Sequence, residues 1–167
     1  MSKQKKKRDK KYVPRRVGAI PLRCLPHKVA LIMEPFDSLL RELRVHGTVS
    51  VNKRNVCVFE DAIFGEVYPL VPAARGFLLS FAIWSRRTGN PIDLTGVEQL
   101  LARLEYGAPI TELELSAAER GVDAMRQALY RMTNKEASEL VNDASIRMEF
   151  EKQGVLDEEG RPASVTA

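Results

Sequence analysis

The sequence predicts a mainly α protein: a compact helical bundle of about five helices, with one small β-hairpin at 48–59 and a disordered basic N-terminal arm. Apolar side chains recur at helical spacing through most of the chain, and three Ser/Thr-x-x-Glu motifs are interpreted as helix starts. The chain has 167 residues, of which 44% are hydrophobic, enough to bury a core without disulfides. We therefore expect one helical domain at 17–154, between an arm at 1–16 and a flexible tail at 155–167.

The arm dominates the charge pattern. Between Met1 and Arg16 nine basic residues accompany one acidic residue, a balance of +8 that leaves −4 for the rest of the chain. Because its like charges repel and it has few apolar side chains, we expect the arm to be disordered and open to polyanions. The residues assigned to nucleic-acid or polyanion contact are Lys5, Lys6, Lys7, Arg8, Lys10, Lys11, Arg15 and Arg16 in the arm, and Lys53 and Arg54 at the hairpin tip.

Three roles remain open for the arm. It can displace counterions from a nucleic-acid backbone, which gives salt-dependent and sequence-independent affinity. It can reach an acidic protein surface, including the acidic half of a second copy, because 92–167 carries fifteen acidic and eight basic residues. It can also serve only to keep the protein soluble.

The first elements after the arm are an extended lead-in and a helix. The segment 18–26 is rich in proline and shows little periodicity, so we expect it to lie across the body, anchored by Ile20, Leu22 and Leu25. A helix is predicted over 35–46, since proline is tolerated in a first turn and glycine follows the last residue.

A β-hairpin is predicted next. The β-branched runs 48–51 and 56–59 flank a four-residue turn at 52–55. Because a lone hairpin is marginally stable, this one must pack on helices or pair with another chain, which would give a homodimer.

The middle of the chain predicts a short helical or irregular piece within 60–71 and then a central helix over 72–87. Apolar residues occupy most of the circumference of that helix, so we interpret Trp84 as a core residue. A breaker at 88–91 ends it.

Three capping boxes organise the C-terminal half: Thr95 to Glu98, Ser116 to Glu119, and Thr133 to Glu136. The last two helices meet with almost no loop, which predicts a helical hairpin or an L. Their outer side is acidic. The residues assigned to a partner-binding acidic face are Glu112, Glu119, Asp123, Glu136, Glu139 and Asp143.

Catalytic motifs are missing from the sequence. His27 and His46 lie in no nucleophile motif, and Cys24 and Cys57 are interpreted as reduced thiols. The two glycine-rich phosphate-binding patterns, GxxxxGK[ST] and GxGxxG, do not occur in the sequence. We therefore expect no cofactor, no metal and no enzymatic activity. A DNA-reading helix should display basic and amide side chains, whereas the best-defined helices here display carboxylates.

The lengths of the apolar runs and the pattern of the first residues predict where in the cell the protein is located. The most apolar stretch, 76–84, is too short to cross a bilayer, and the basic start is not followed by a signal-peptide pattern. We expect a cytoplasmic protein with no membrane contact.

The lysine-rich start passes into Lys11-Tyr12-Val13-Pro14 ahead of a compact helical body. In this it resembles small accessory proteins of tailed bacteriophages and prophages, among which anti-CRISPR proteins are one group. The resemblance implies a noncatalytic inhibitor or adaptor in the host cytoplasm that binds a host protein or nucleoprotein complex. A self-associating assembly protein is the alternative hypothesis, and an enzyme of unrecognised chemistry is the third.

Overall fold

The computed structural model of the chain describes residues 18–54, 56–60 and 67–152. The predicted arm at 1–16 and tail at 155–167 lie outside these residues. The helical bundle is confirmed, with five α-helices in the described ranges. They are α1 (Pro26–His46), α2 (Leu70–Thr88), α3 (Thr95–Glu105), α4 (Glu112–Arg131) and α5 (Asn134–Lys152).

The closest helix pair is α3 with α4. Their backbones can approach because Gly96 and Gly121 lie at the crossing, where a side chain on Gly96 would meet the backbone of Ala117. Around this crossing Val97 and Met125 are completely buried. Helix α4 also packs on α1, and α2 packs on α3 and α5, so one core joins all five helices.

Helix α1 begins nine residues earlier than predicted, at Pro26, and Pro35 lies inside it. Proline in a helix interior removes one hydrogen bond, the reason for expecting a helix start there. The helix continues through this position because Val29, Met33 and Phe36 on both sides of it bury the same face. Tertiary packing therefore outweighs the local cost of the proline.

The predicted hairpin is present as a short pairing. Val58 N–H donates to Ser50 O at 3.0 Å and Asn52 N–H donates to Val56 O at 2.9 Å. The same strand continues as β1 (Val58–Glu60), which pairs on its other edge with the antiparallel strand β2 (Val67–Pro69). A strand at 67–69 replaces part of the helical or irregular piece predicted within 60–71; residues 61–66 lie outside the described ranges.

Two of the three predicted capping boxes do not form, although a helix does begin at Thr95. Helix α4 begins at Glu112, where Thr111 and Glu114 form the box, so the motif at Ser116 falls in its interior. Helix α3 has Leu94 as its N-cap residue, and the Asp93 carboxylate accepts the Thr95 N–H at 3.1 Å instead. At α3 the Asp93 carboxylate therefore replaces the predicted Thr95 cap, and at α4 the box of Thr111 and Glu114 lies before the predicted one.

The lead-in and the last two helices meet at one junction. The box at Thr133 and Glu136 is confirmed, with both reciprocal hydrogen bonds present. Leu22 N–H donates to Met132 O at 2.9 Å, and Leu22 is completely buried, as predicted for the lead-in. Helix α5 turns away from α4 there and packs on α2, so the L arrangement is the one observed.

Candidate functional site

The predicted polyanion contacts fall in two regions. The eight arm residues lie outside the described ranges, whereas Lys53 and Arg54 are exposed on the hairpin turn. The Asn52 side chain holds this turn, because its Oδ1 accepts the N–H of Arg54 at 2.9 Å and of Val56 at 3.0 Å. The turn thus presents two cations, Lys53 and Arg54, to solvent.

The three α4 members of the predicted acidic face are paired with arginines. Arg44 on α1 contacts Glu119 at 2.6 Å and Glu112 at 3.2 Å. Pairing with Glu119 and Glu112 raises the pKa of Arg44. Arg126 bridges Asp123 at 2.5 Å and Asp37 at 2.6 Å. These ion pairs line a cleft of about 410 Å³ between α1 and α4.

The three α5 members also have partners within the chain. Glu136 accepts hydrogen bonds from Thr133 in the capping box. Lys135 contacts Glu139 at 3.4 Å, and Arg87 of α2 contacts Asp143 at 2.7 Å. The acidic residues therefore lie on two helices that diverge, and each already has a partner.

Sequence reasoning missed the arginines that neutralise these carboxylates. Arg44 and Glu119 are 75 positions apart, and Arg87 and Asp143 are 56 positions apart. No local spacing signals such pairs, since helical pairing rules reach only three or four residues. The helix packing brings them together.

An apolar groove is the second concave feature. It has a volume of about 430 Å³ and lies between α1, α2 and α5, with Phe77, Phe81 and Leu140 among its lining residues. Its polar lining consists of Ser80, Asn134, Ser138 and Asn142, all uncharged. Such a groove suits an apolar group better than a charged ligand.

The described residues do not assemble nucleophile chemistry. Cys57 is half-buried and its thiol donates to Leu104 O at 3.6 Å, while burial raises the pKa of that thiol. A reactive cysteine needs the opposite shift. His27 and His46 lie near opposite ends of α1, about 28 Å apart by helical rise, so they cannot act together. Nowhere in the described ranges do three His, Cys, Asp or Glu side chains converge as metal ligands do.

None of the described helices combines the length and apolarity that a bilayer crossing requires.

The candidate site features are two ion-paired helix surfaces, an exposed basic turn and an uncharged groove. No family model, curated protein or solved structure matches the chain.

Proposed function

We propose that this chain is a non-enzymatic binding protein, an inhibitor or adaptor of the kind that phages encode, acting on a host nucleoprotein or defence complex in the cytoplasm. The basic arm contacts nucleic acid or another polyanion, and the helical body contacts a protein. The observation that carries this proposal is the charge separation in the sequence, +8 over the first sixteen residues and −4 over the rest.

The paired state of the body's carboxylates supports a target outside the chain. Arg44, Arg126 and Arg87 already engage Glu119, Asp37 and Asp143. An arm that folded onto these helices would have to displace such partners, whereas the phosphates of a nucleic acid release only mobile counterions. An external polyanion is therefore the better match for the arm.

Contacts with a protein partner are proposed for the acidic residues that remain most exposed. The side chains of Glu112 and Asp123 are 73% and 71% exposed despite their ion pairs. A basic surface on a partner can approach both, and complementary charge would speed the encounter more than it would strengthen the complex.

The arm is tested by deleting residues 1–16 and measuring the affinity for fluorescent duplex DNA at 50 and 200 mM salt. If six arm cations neutralise phosphates, wild-type affinity should fall about a thousandfold between these concentrations, and the deletion should remove most of this dependence. Two controls keep the arm length: a scrambled arm should bind like wild type, and an arm with glutamine at every cation should not. Unchanged binding after deletion would refute the role of the arm.

Self-association is the second candidate, and the hairpin edge favours it. The segment around Ser50 pairs with Val58 on one side only among the described residues, and Val51 is 51% exposed. An exposed edge of this kind can pair with a second copy. Light scattering of the wild type and of the 1–16 deletion decides the case. Oligomers that persist after deletion would favour pairing through the hairpin edge, oligomers lost on deletion would favour assembly through the arm, and monomers in both samples would exclude self-association.

A further inference from the structure

Two arginines meet where the lead-in crosses the end of α4. The hydrogen bond from Leu22 N–H to Met132 O, 2.9 Å long, joins the neighbours of Arg23 and Arg131. Arg23 lies in the 3-10 turn Leu22–Cys24, and Arg131 is the last residue of α4. Both side chains are exposed, on residues that adjoin the two ends of this backbone hydrogen bond.

Two lysines belong to the same junction. Lys28 Nζ donates to Asn134 Oδ1 at 3.0 Å, which ties the first turn of α1 to the start of α5. Lys135 follows Asn134 in the first turn of α5. We call this surface the root patch. It consists of Arg23, Lys28, Arg131 and Lys135.

The arginines of the root patch lack the carboxylate partners that five other arginines of the body have. Five arginines form salt bridges with carboxylates: Arg44, Arg75, Arg87, Arg103 and Arg126. Within the part of the chain that the structure describes, Arg23 and Arg131 form none.

Acidic residues near the root patch are few and already engaged. The first turn of α1 has no acidic residue. On α5, Glu136 accepts hydrogen bonds in its capping box and Glu139 contacts Lys135. Within the described ranges Arg23 and Arg131 have no carboxylate partner, so a bound anion would offset the repulsion between their charges.

The root patch is also where the arm joins the body. Gly18 lies against Lys135, since a Cβ on Gly18 would be 3.4 Å from the Lys135 Cβ. Arg16 and Arg15 precede Gly18 by two and three residues, a reach of at most about 10 Å along the chain. The last two cations of the arm are therefore close to the root patch along the chain.

We propose that the root patch extends the polyanion site of the arm onto the folded body, and that its ligand is the phosphate backbone of a nucleic acid. This inference rests on the proposed function of the arm. Guanidinium groups bind phosphate oxygens with two parallel hydrogen bonds, and Arg23 and Arg131 offer two such groups on a fixed scaffold. Binding here positions the nucleic acid without reading its sequence, because contacts to phosphates carry no base information.

The test uses the full chain with Arg23→Gln and Arg131→Gln combined, and fluorescent duplex DNA as the probe. Losing two phosphate contacts should shrink the change in affinity between 50 and 200 mM salt by about twelvefold. The control, Arg41→Gln with Arg120→Gln, removes the same charge from two exposed arginines without salt bridges among the described residues. By helical rise Arg41 lies about 20 Å from Lys28, and Arg120 about 16 Å from Arg131. This control should keep the wild-type salt dependence.

Each outcome decides between the root patch and the arm. If the two double variants behave alike, the root patch is not a site, although the arm proposal stands. If the wild type does not bind duplex or single-stranded DNA, both proposals fall. If polyglutamate binds more tightly than DNA, and only its binding depends on Arg23 and Arg131, then the ligand is an acidic protein and the assignment to nucleic acid is overturned. Circular dichroism of each variant checks that the helical fold is retained.

Discussion

The absence of a Cβ atom at Gly96 and at Gly121 allows the close approach of α3 and α4. A Cβ on Gly96 would lie 2.5 Å from the carbonyl carbon and oxygen of Ala117, and backbone cannot move aside as a flexible side chain can. At Gly121 the obstacle would be the Val97 side chain at 2.7 Å. The core therefore depends on the absence of two side chains as much as on the leucines around them.

Gly96→Ala should destabilise the protein by about 1–3 kcal/mol, because overpacking outweighs the better helix propensity of alanine. The free energy of unfolding in urea measures this. Gly18→Ala is the matched control, since its new Cβ would meet only the Lys135 side chain at 3.4 Å and should change stability little. A Gly96→Ala protein as stable as the wild type would contradict the crossing described here.

The two cysteines should react at different rates with a thiol reagent. Cys24 is exposed, whereas Cys57 is half-buried with a pKa raised by burial, so less of it is thiolate at pH 7.5. We expect Cys57 to react on the order of tenfold more slowly in the native protein. A spectroscopic assay with Cys24→Ser and Cys57→Ser variants measures each rate; removal of the fast phase by Cys57→Ser would contradict the assignment.

At the scale of elements, the start of α4 gives a pH-dependent contribution to stability. Hydrogen bonds from the Thr111 backbone and side chain, with a further bond from Arg103, lower the pKa of Glu114. A carboxylate with a lowered pKa in the folded state stabilises that state above its unfolded pKa of about 4.3, and the contribution disappears as the pH falls through the folded value.

Glu114→Gln should therefore be less stable than wild type at pH 7, and the difference should shrink as the pH approaches 3. Urea midpoints at pH 7, 5, 4 and 3 measure it. Thr111→Ala removes only the side-chain hydrogen bond to Glu114 and keeps the bonds from the backbone N–H of residue 111 and from Arg103, so it should reduce the pH dependence less than Glu114→Gln does. If the urea midpoints of wild type and Glu114→Gln differed by the same amount across this pH range, the lowered pKa of Glu114 would make no contribution to stability.

Elements were predictable from the sequence where local signals agree with packing. The box at Thr133, the turn at Asn52 and the left-handed glycine after His46 all act over a few residues, and the structure has each of them. The start of α1 and strand β2 were missed. Pro35 is tolerated because of a core that sequence spacing does not display, and β2 exists through its pairing with β1.

The candidate site was less predictable for the same reason. The acidic residues of α4 and α5 were visible in the sequence, but the arginine partners of Glu119 and Asp143 come from distant positions on other helices. The root patch was also missed, because its members come from the lead-in, α1 and both sides of the α4–α5 junction. Charge content can be read from a sequence, whereas charge pairing requires the fold.

At the scale of the whole molecule, removing the arm should reverse the sign of the charge. The full chain has a net charge of +4, and without residues 1–16 it has −4. At pH 7 and low salt, the full chain should bind a cation exchanger, and the deletion variant should bind an anion exchanger instead. If the deletion variant still bound the cation exchanger, exposed cations of the folded body would dominate its surface, and the arm would not govern association with polyanions.

The bridge between Pro21 and Thr133 has a consequence for biosynthesis. At common translation speeds, the ribosome needs roughly ten seconds to synthesise the residues that separate these two positions. During that time the Leu22 N–H has no Met132 carbonyl to bond, and helix α4, on which the Leu22–Cys24 turn packs, is incomplete. Closure of the core at this junction is therefore a late folding event that waits for the C-terminal third of the chain.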